Sequence, residues 1–167
     1  KHLHLPVQSG STNILAKMNR RYTKEQYLDL VGRIREAMPN VSITTDIIVG
    51  FPGETDELFM ETYNFLKDVV KPAFIHIFPY SRRAGTPAAA RKDQVQDSKK
   101  TERVRMLEEL SAKLHEEFIQ SNSGVREKVL FESTDRNGMM EGYTGNYIRI
   151  SRPFDENMIG NIVDVTL

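Results

Sequence analysis

Polar and glycine-rich residues follow three apolar segments of the chain, and their types are suited to chemistry. The first segment is followed by Gln8-Ser9-Gly10-Ser11, the second by Gly50-Phe51-Pro52-Gly53-Glu54-Thr55 and the third by Pro79-Tyr80-Ser81-Arg82-Arg83. Amides, hydroxyls and guanidinium groups bind carboxylates and sugar hydroxyls through directional hydrogen bonds. Glycines let a backbone come close to a flat ligand such as adenine. The three segments predict a ligand site, and the alternative is that they are ordinary polar loops.

Asp46 and the histidines are the other residues that could bind a ligand. Asp46 lies inside an apolar segment, so its carboxylate needs a hydrogen-bond partner or a cavity; a structural pair with an arginine explains it as well as a ligand contact does. His2 and His4 alternate along one predicted strand and so point the same way, as two metal ligands would. A further ligand is not evident from the sequence. We therefore expect His2 and His4 to form a buried, hydrogen-bonded pair or to fill the interior of a barrel, with no metal site. We interpret His76 and His115 in the same way.

A parallel sheet would bring these residues together. The pattern predicts strands at about 3–8, 41–49 and 73–78, with helices that begin near Thr23 and Thr55 between them. This alternation favours parallel strands with right-handed crossovers, as in a barrel or an open α/β sheet. Ligands of such folds collect at the carboxyl edge of the strands. The three polar segments should therefore converge at that edge.

A long helix and a β-rich tail follow. Residues 98–120 carry an apolar stripe at helical spacing. After a linker at 121–124, short strand patterns alternate with the dipeptides Asn137-Gly138 and Gly145-Asn146, which are typical of hairpin turns. We predict an α/β domain at 1–122 and a small antiparallel β-barrel at 123–167 that leans on the long helix.

Composition excludes several kinds of site. The chain has 167 residues and no Cys, which excludes disulfides, cysteine nucleophiles and thiolate ligands from what it can do alone. It has no apolar run of the roughly 18 residues that span a membrane, and we expect a cytoplasmic protein without membrane contact. Net charge is zero, but the segment 82–105 holds eight basic and three acidic residues. This segment predicts either a solvated surface or a patch that binds phosphates.

Three blocks of sequence resemble one known family. The blocks are His4–Ser11, Met18–Thr23 and Thr45–Thr55, and in this order they are similar to the second half of the catalytic barrel in radical S-adenosylmethionine methylthiotransferases. The tail resembles the TRAM domain, an OB-like RNA-binding β-barrel at the end of these enzymes. The implied fold class is α/β: the C-terminal part of a partial TIM-like (βα) barrel, followed by a small antiparallel β-barrel.

Later stretches most resemble the branch of this family that acts on N6-threonylcarbamoyladenosine at position 37 of tRNA. They are 76–89, 93–95 and 142–147. The resemblance implies insertion of a methylthio group at C2 of that adenosine, with the tRNA anticodon loop as partner, and we expect a monomer. The alternatives are the branches for isopentenyladenosine or for an aspartate of a ribosomal protein, a different radical enzyme, a non-catalytic RNA-binding module, and a sugar-phosphate barrel enzyme.

The resemblance also implies cofactors and contact residues. One [4Fe-4S] cluster would cleave S-adenosylmethionine to a 5′-deoxyadenosyl radical and a second would supply sulfur. The CxxxCxxC of the family is absent, so we expect an inactive carboxy-terminal piece of a larger enzyme, with no catalytic residue of its own. The implied S-adenosylmethionine contacts are Gln8, Ser9, Arg20, Asp46, Gly50, Phe51 and Pro79. The RNA contacts predicted for such an enzyme are Arg82, Arg83, Tyr143, Tyr147, Arg149 and Arg152. Acidic residues outnumber basic ones, seven to five, from Gly124 onward, which opposes RNA binding unless the arginines share one face.

Overall fold

The computed structural model describes residues 1–134 and 137–167, and the side chains of all of these except 133 and 134. Asp135 and Arg136, which enter the charge count of the tail, lie outside the described residues. The first part of the chain forms a sheet of three parallel strands in chain order. Its strands are β1 (His2–His4), β2 (Ser42–Val49) and β3 (Phe74–Pro79). The predicted parallel α/β arrangement is therefore confirmed.

Within the described residues, five α-helices accompany the strands. They are α1 (Thr12–Lys17), α2 (Lys24–Ala37), α3 (Asp56–Asn64), α4 (Pro87–Ala90) and α5 (Asp97–Ser121). Thr23 and Gln26 form a capping box at the predicted start of α2, and the Thr55 side chain caps α3. A π-helical turn at Phe65–Val70 continues α3 and ends at Lys71, whose φ is 45°. The sequence did not predict this turn or α4.

The apolar core lies on one face of the parallel sheet. Ile43 and Ile47 of β2 point into it, and the fully buried Leu107 of α5 belongs to the same core. Leu110 and Leu114 are also buried, so the predicted apolar stripe of the long helix is confirmed. Ser111 Oγ accepts a hydrogen bond from the backbone of Ile75 at 3.0 Å, which holds α5 against β3. The other face of the sheet therefore remains for polar and aromatic side chains.

The second part of the chain forms a four-stranded antiparallel sheet. Its strands are β4 (Arg126–Thr134), β5 (Met139–Thr144), β6 (Arg149–Pro153) and β7 (Ile162–Thr166). Their order is β6-β5-β4-β7, with β6 and β7 at the two edges. Both predicted turn dipeptides lie between strands of this sheet, before β5 and after it. A small core covers one side of the sheet, formed by Val129, Phe131, Met140 and Val165.

Asparagine side chains join the two sheets. Asn146, in the turn after β5, is buried and donates from Nδ2 to Asn122 Oδ1 at 3.1 Å and to the Asn40 carbonyl at 3.3 Å. Asn122 follows α5, and Asn40 precedes β2. Buried amides without partners would be costly, so these bonds fix where the small sheet meets the amino-terminal edge of the parallel strands.

Candidate cofactor and nucleic-acid sites

A cleft of about 530 Å³ lies at the carboxyl edge of the parallel sheet, as the strand order predicted. It brings together residues from all three polar segments after the strands. Its lining comprises Gln8, Ile48, Phe51, Phe78, Pro79, Tyr80, Ser81, Arg83, Thr86 and Ala88. Three of the seven implied S-adenosylmethionine contacts, Gln8, Phe51 and Pro79, therefore share one surface.

The backbone of Gln8 adopts the left-handed conformation, with φ at 69°. Few non-glycine residues do so, and the surrounding structure must hold such a residue in place. Gln8 N donates to the Asp46 carbonyl at 2.8 Å, and Gln8 O accepts from Ile48 N at 2.9 Å. These two bonds to β2 bend the chain after β1 and set the Gln8 side chain at the cleft.

Tyr80 carries an unpaired polar atom in the same cleft. Its hydroxyl is buried and has no hydrogen-bond partner among residues 1–134 and 137–167. The ring meets Phe51 edge-on, with 5.2 Å between the ring centroids. Lys100 Nζ lies 5.7 Å from the centroid of the Tyr80 ring and donates to the Tyr80 carbonyl at 3.3 Å. A buried hydroxyl without a partner is costly, and a polar ligand that enters the cleft with a small shift of the ring could supply that partner.

The other implied cofactor contacts lie elsewhere. Ser9 is buried and its hydroxyl meets Thr62 Oγ1 at 3.2 Å, so it ties the loop after β1 to α3. Gly50 is covered by the Lys100 side chain at the place where the glycine lacks a Cβ. Arg20 is exposed and lines neither the cleft nor the larger cavity described below. Asp46 lines that larger cavity.

A buried ion pair holds the glycine turn after β2. Glu54 Oε2 accepts the Gly50 amide at 2.6 Å and lies 2.7 Å from Nη1 of Arg103, a residue of α5. The other guanidinium nitrogen, Nη2, lies 2.7 Å from Asp56 Oδ1. Burial raises the pKa of Glu54, whereas the hydrogen bond from Arg103 lowers the pKa of the exposed Asp56. The sequence alone did not distinguish Arg103 from the other cations of the basic segment. Its partners lie 47 and 49 positions away, so no local pattern reveals the ion pair.

A second cavity, of about 630 Å³, lies on the face of the sheet opposite the core. His4 Nε2 lies 3.2 Å from Asp46 Oδ1, and His76 packs edge-on against His4 with 5.4 Å between ring centroids. Thr44 Oγ1 is hydrogen-bonded to both His4 Nδ1, at 2.9 Å, and His2 Nε2, at 3.1 Å. Partial burial lowers the pKa of His2, and the nearby His4 lowers it further. The sequence predicted the shared direction of His2 and His4, but not the arrival of Asp46 and His76 beside them.

Three predicted RNA contacts lie on one exposed side of the small sheet. Tyr143 and Tyr147 are 46% and 63% exposed, with their ring centroids 6.2 Å apart. Arg149 is the cross-strand neighbour of Tyr143 and contacts Glu141. Arg152 is instead the cross-strand neighbour of the buried Met140. Because cross-strand neighbours share a face, Arg152 emerges on the other side of the sheet.

Most cations of the basic segment are paired within the protein. Arg91 contacts Asp93 at 2.6 Å, and Lys100 contacts Asp97 at 3.1 Å. Lys99 lies between the carboxylates of Asp56 and Glu102. Arg82 Nε donates to the Ala89 carbonyl at 2.8 Å. In the part of the chain that the structure describes, no ion pair joins Arg83 to a carboxylate. The local positive charge is thus largely neutralised, and Arg83 is the predicted RNA contact that remains open at the cleft.

Sequence comparison identifies relatives of this chain. Residues 1–66 match the family model of the radical SAM superfamily. The chain is 46% identical over 170 residues to the threonylcarbamoyladenosine tRNA methylthiotransferase MtaB of Bacillus subtilis, covering 99% of this chain and 38% of that protein. It is 44% identical over 168 residues to a tRNA-2-methylthio-N(6)-dimethylallyladenosine synthase of Lachnoclostridium phytofermentans, covering 99% of this chain and 37% of that protein. The chain thus spans well under half the length of these curated relatives.

A solved structure has a similar fold. The archaeal Methanocaldococcus infernus Elp3 with an N-terminal deletion aligns with a TM-score of 0.55 at 12% identity, over 98% of this chain and 56% of that one. At this identity the likeness concerns the fold alone. Among the described residues, no helix is both long enough and apolar enough to cross a membrane.

Proposed function

We propose that this chain, which belongs to the radical S-adenosylmethionine methylthiotransferase family, forms the late barrel strands and the RNA-binding end of a longer tRNA-modifying enzyme. The observation that carries the proposal is the cleft at the carboxyl edge of the sheet, in a chain whose residues 1–66 match the radical SAM model. The enzyme would insert a methylthio group at C2 of N6-threonylcarbamoyladenosine at position 37, in the anticodon loop of tRNA.

The residues of the cleft suit S-adenosylmethionine. The rings of Phe51 and Tyr80 provide an apolar wall for adenine, and the Gln8 amide can pair with ribose hydroxyls. Arg83, predicted from the sequence as an RNA contact, lines the cleft, and we assign its guanidinium to the methionine carboxylate instead. When bound, the cofactor supplies radical chemistry. The part of this chain is to hold the adenosyl group still and to keep water away from it.

Iron–sulfur clusters do not fit the residues of this chain. Clusters are held by cysteine thiolates, and the sequence has none. We propose that the rest of the longer enzyme supplies the cysteines for its two [4Fe-4S] clusters.

The small sheet supports a role in RNA binding. Tyr143, Tyr147 and Arg149 share one exposed side, where aromatic rings can stack on unpaired bases and a guanidinium can reach phosphate. Arg82, paired with a backbone carbonyl, and Arg152, on the other side of the sheet, are weaker candidates.

A second substrate assignment has its own support. Several relatives between 41% and 45% identical are named tRNA-2-methylthio-N(6)-dimethylallyladenosine synthases, whereas the relative named for threonylcarbamoyladenosine is 46% identical. These sequence identities differ too little to decide between the two substrates. The residues that favour threonylcarbamoyladenosine are the stretches at 76–89, 93–95 and 142–147 that resemble that branch.

Replacing Tyr80 tests the cleft assignment. In the longer enzyme with its clusters reconstituted, we expect Tyr80→Phe to weaken S-adenosylmethionine binding about 2- to 10-fold, the value of one hydrogen bond of ~0.5–1.5 kcal/mol. Since the hydroxyl has no partner within the described residues, the melting temperature should stay the same or rise. Equilibrium binding and thermal melts measure the two effects.

The matched control is Tyr63→Phe, which removes a tyrosine hydroxyl outside the cleft. Its S-adenosylmethionine affinity should equal that of the wild type. Wild-type affinity in Tyr80→Phe, or an equal loss in both variants, would refute the role of the Tyr80 hydroxyl.

A further inference from the structure

The face of the parallel sheet opposite the core gathers three side chains of metal-ligating type. His4, Asp46 and His76 come from three adjacent strands, and one ligand atom from each lies within 4.8 Å of the other two. Asp46 and His76 are direct neighbours in the β2–β3 register. No cysteine takes part, and two imidazoles with one carboxylate form a ligand set that zinc and ferrous sites use.

Contacts beyond the three ligands aim them at one point. Thr44 Oγ1 is hydrogen-bonded to His4 Nδ1 at 2.9 Å, which leaves Nε2 of the same ring facing Asp46 Oδ1 at 3.2 Å. Fixing one ring nitrogen so that the other faces the ion is what outer partners of metal-bound histidines do. The ring of Phe74 packs against His76, with 5.1 Å between centroids, and limits its movement.

The surroundings leave room for an ion with open positions. The three residues line the 630 Å³ cavity, and the His4 and Asp46 side chains are 41% and 23% exposed. Solvent can therefore reach the ligands and complete the coordination of an ion held by three protein atoms.

We propose that His4, Asp46 and His76 form a binding site for a divalent first-row transition metal ion, separate from the cleft proposed for S-adenosylmethionine. The assignment gives Asp46 a role as metal ligand in place of the cofactor contact implied by resemblance. It replaces the expectation from the sequence that the chain holds no metal. It does not depend on the proposed tRNA modification, because every ligand lies in this chain.

Zinc and cobalt are the probes for a test with the 167-residue chain, prepared without an affinity tag and freed of metal by chelation. We expect calorimetry to show one Zn²⁺ per chain, and Co²⁺ to give visible absorption bands that Zn²⁺ removes. Asp46→Asn and His76→Phe should each weaken Zn²⁺ binding by at least about 100-fold, since even outer partners of ligands are worth about 10- to 100-fold.

His115→Phe is the matched control. His115 lines the same cavity and touches Phe74, but it lies outside the three-residue group. Its Zn²⁺ affinity should equal that of the wild type, and thermal melts without metal should show that all variants are folded. Absence of Zn²⁺ and Co²⁺ binding by the wild type would overturn the proposal. So would unchanged affinity in Asp46→Asn and His76→Phe, or an equal loss in His115→Phe.

Discussion

Arg103→Met should lower the free energy of unfolding by about 3–5 kcal/mol, because it leaves a buried carboxylate without its cation. Arg103 is 4% exposed, and Glu54, its partner at 2.7 Å, is 5% exposed. The aliphatic part of Met can occupy the space beside Phe59, whose ring centroid lies 5.3 Å from the guanidinium carbon. The loss should therefore come from the unpaired charge of Glu54 and not from a cavity. Urea unfolding of the 167-residue chain measures the change.

Two companion variants separate the ion pair from other effects. Arg105→Met removes an exposed cation whose nearest carboxylate, on Glu109, is 3.9 Å away, and should change stability by less than about 1 kcal/mol. The double variant Arg103→Met/Glu54→Gln should regain part of the loss, because it removes the stranded charge. A stability for Arg103→Met within about 1 kcal/mol of the wild type would show that the buried pair does not hold the glycine turn.

Phe131→Ala should lower the free energy of unfolding by about 3–5 kcal/mol, and the loss of structure should be confined to the small sheet. Phe131 is fully buried, in a core to which the described residues contribute three other buried side chains. We propose that residues 1–122 and 123–167 are separate domains, so loss of this ring should expose the amides of β4 and β5 to hydrogen exchange while those of β2 stay protected. Hydrogen exchange followed by mass spectrometry resolves the two sheets.

Phe154→Ala is the control for that experiment, because Phe154 is 49% exposed and lies outside the small core. Its exchange should match the wild type in both sheets. Equal loss of protection in β2 and β4 on replacing Phe131 would mean that the two sheets unfold together, against the proposed division of the chain.

Local patterns in the sequence were enough for most of the fold. Thr23 marked a helix start because a capping box joins residues three positions apart, and Thr55 marked another because acidic residues follow it in the first turn. The parallel arrangement of the strands followed from the alternation of strands and helices. The π-helical turn at 65–70 was missed because its residues fit the pattern of the helix before it. The short helix α4 lies in a segment of small residues with no apolar periodicity.

The sites were harder to predict, since their contacts join distant parts of the chain. The convergence of Gln8, Phe51 and Pro79 followed from parallel strands ending at one edge. The unpaired hydroxyl of Tyr80 and the position of Asp46 beside His76 depend on which way each side chain points. Nothing in the spacing of these residues fixes that direction. Resemblance implied Arg20 as a cofactor contact, and its exposed position could be learned only from the structure.

The tRNA nucleosides of a strain that lacks the gene for the longer protein give the most direct test of the proposed function. Mass spectrometry should show that threonylcarbamoyladenosine has lost its methylthio group while the methylthio group of dimethylallyladenosine remains. Restoring the gene should restore the mark. Unchanged methylthiolation of both nucleosides would contradict the account, whereas loss from dimethylallyladenosine alone would keep the family chemistry and overturn the substrate.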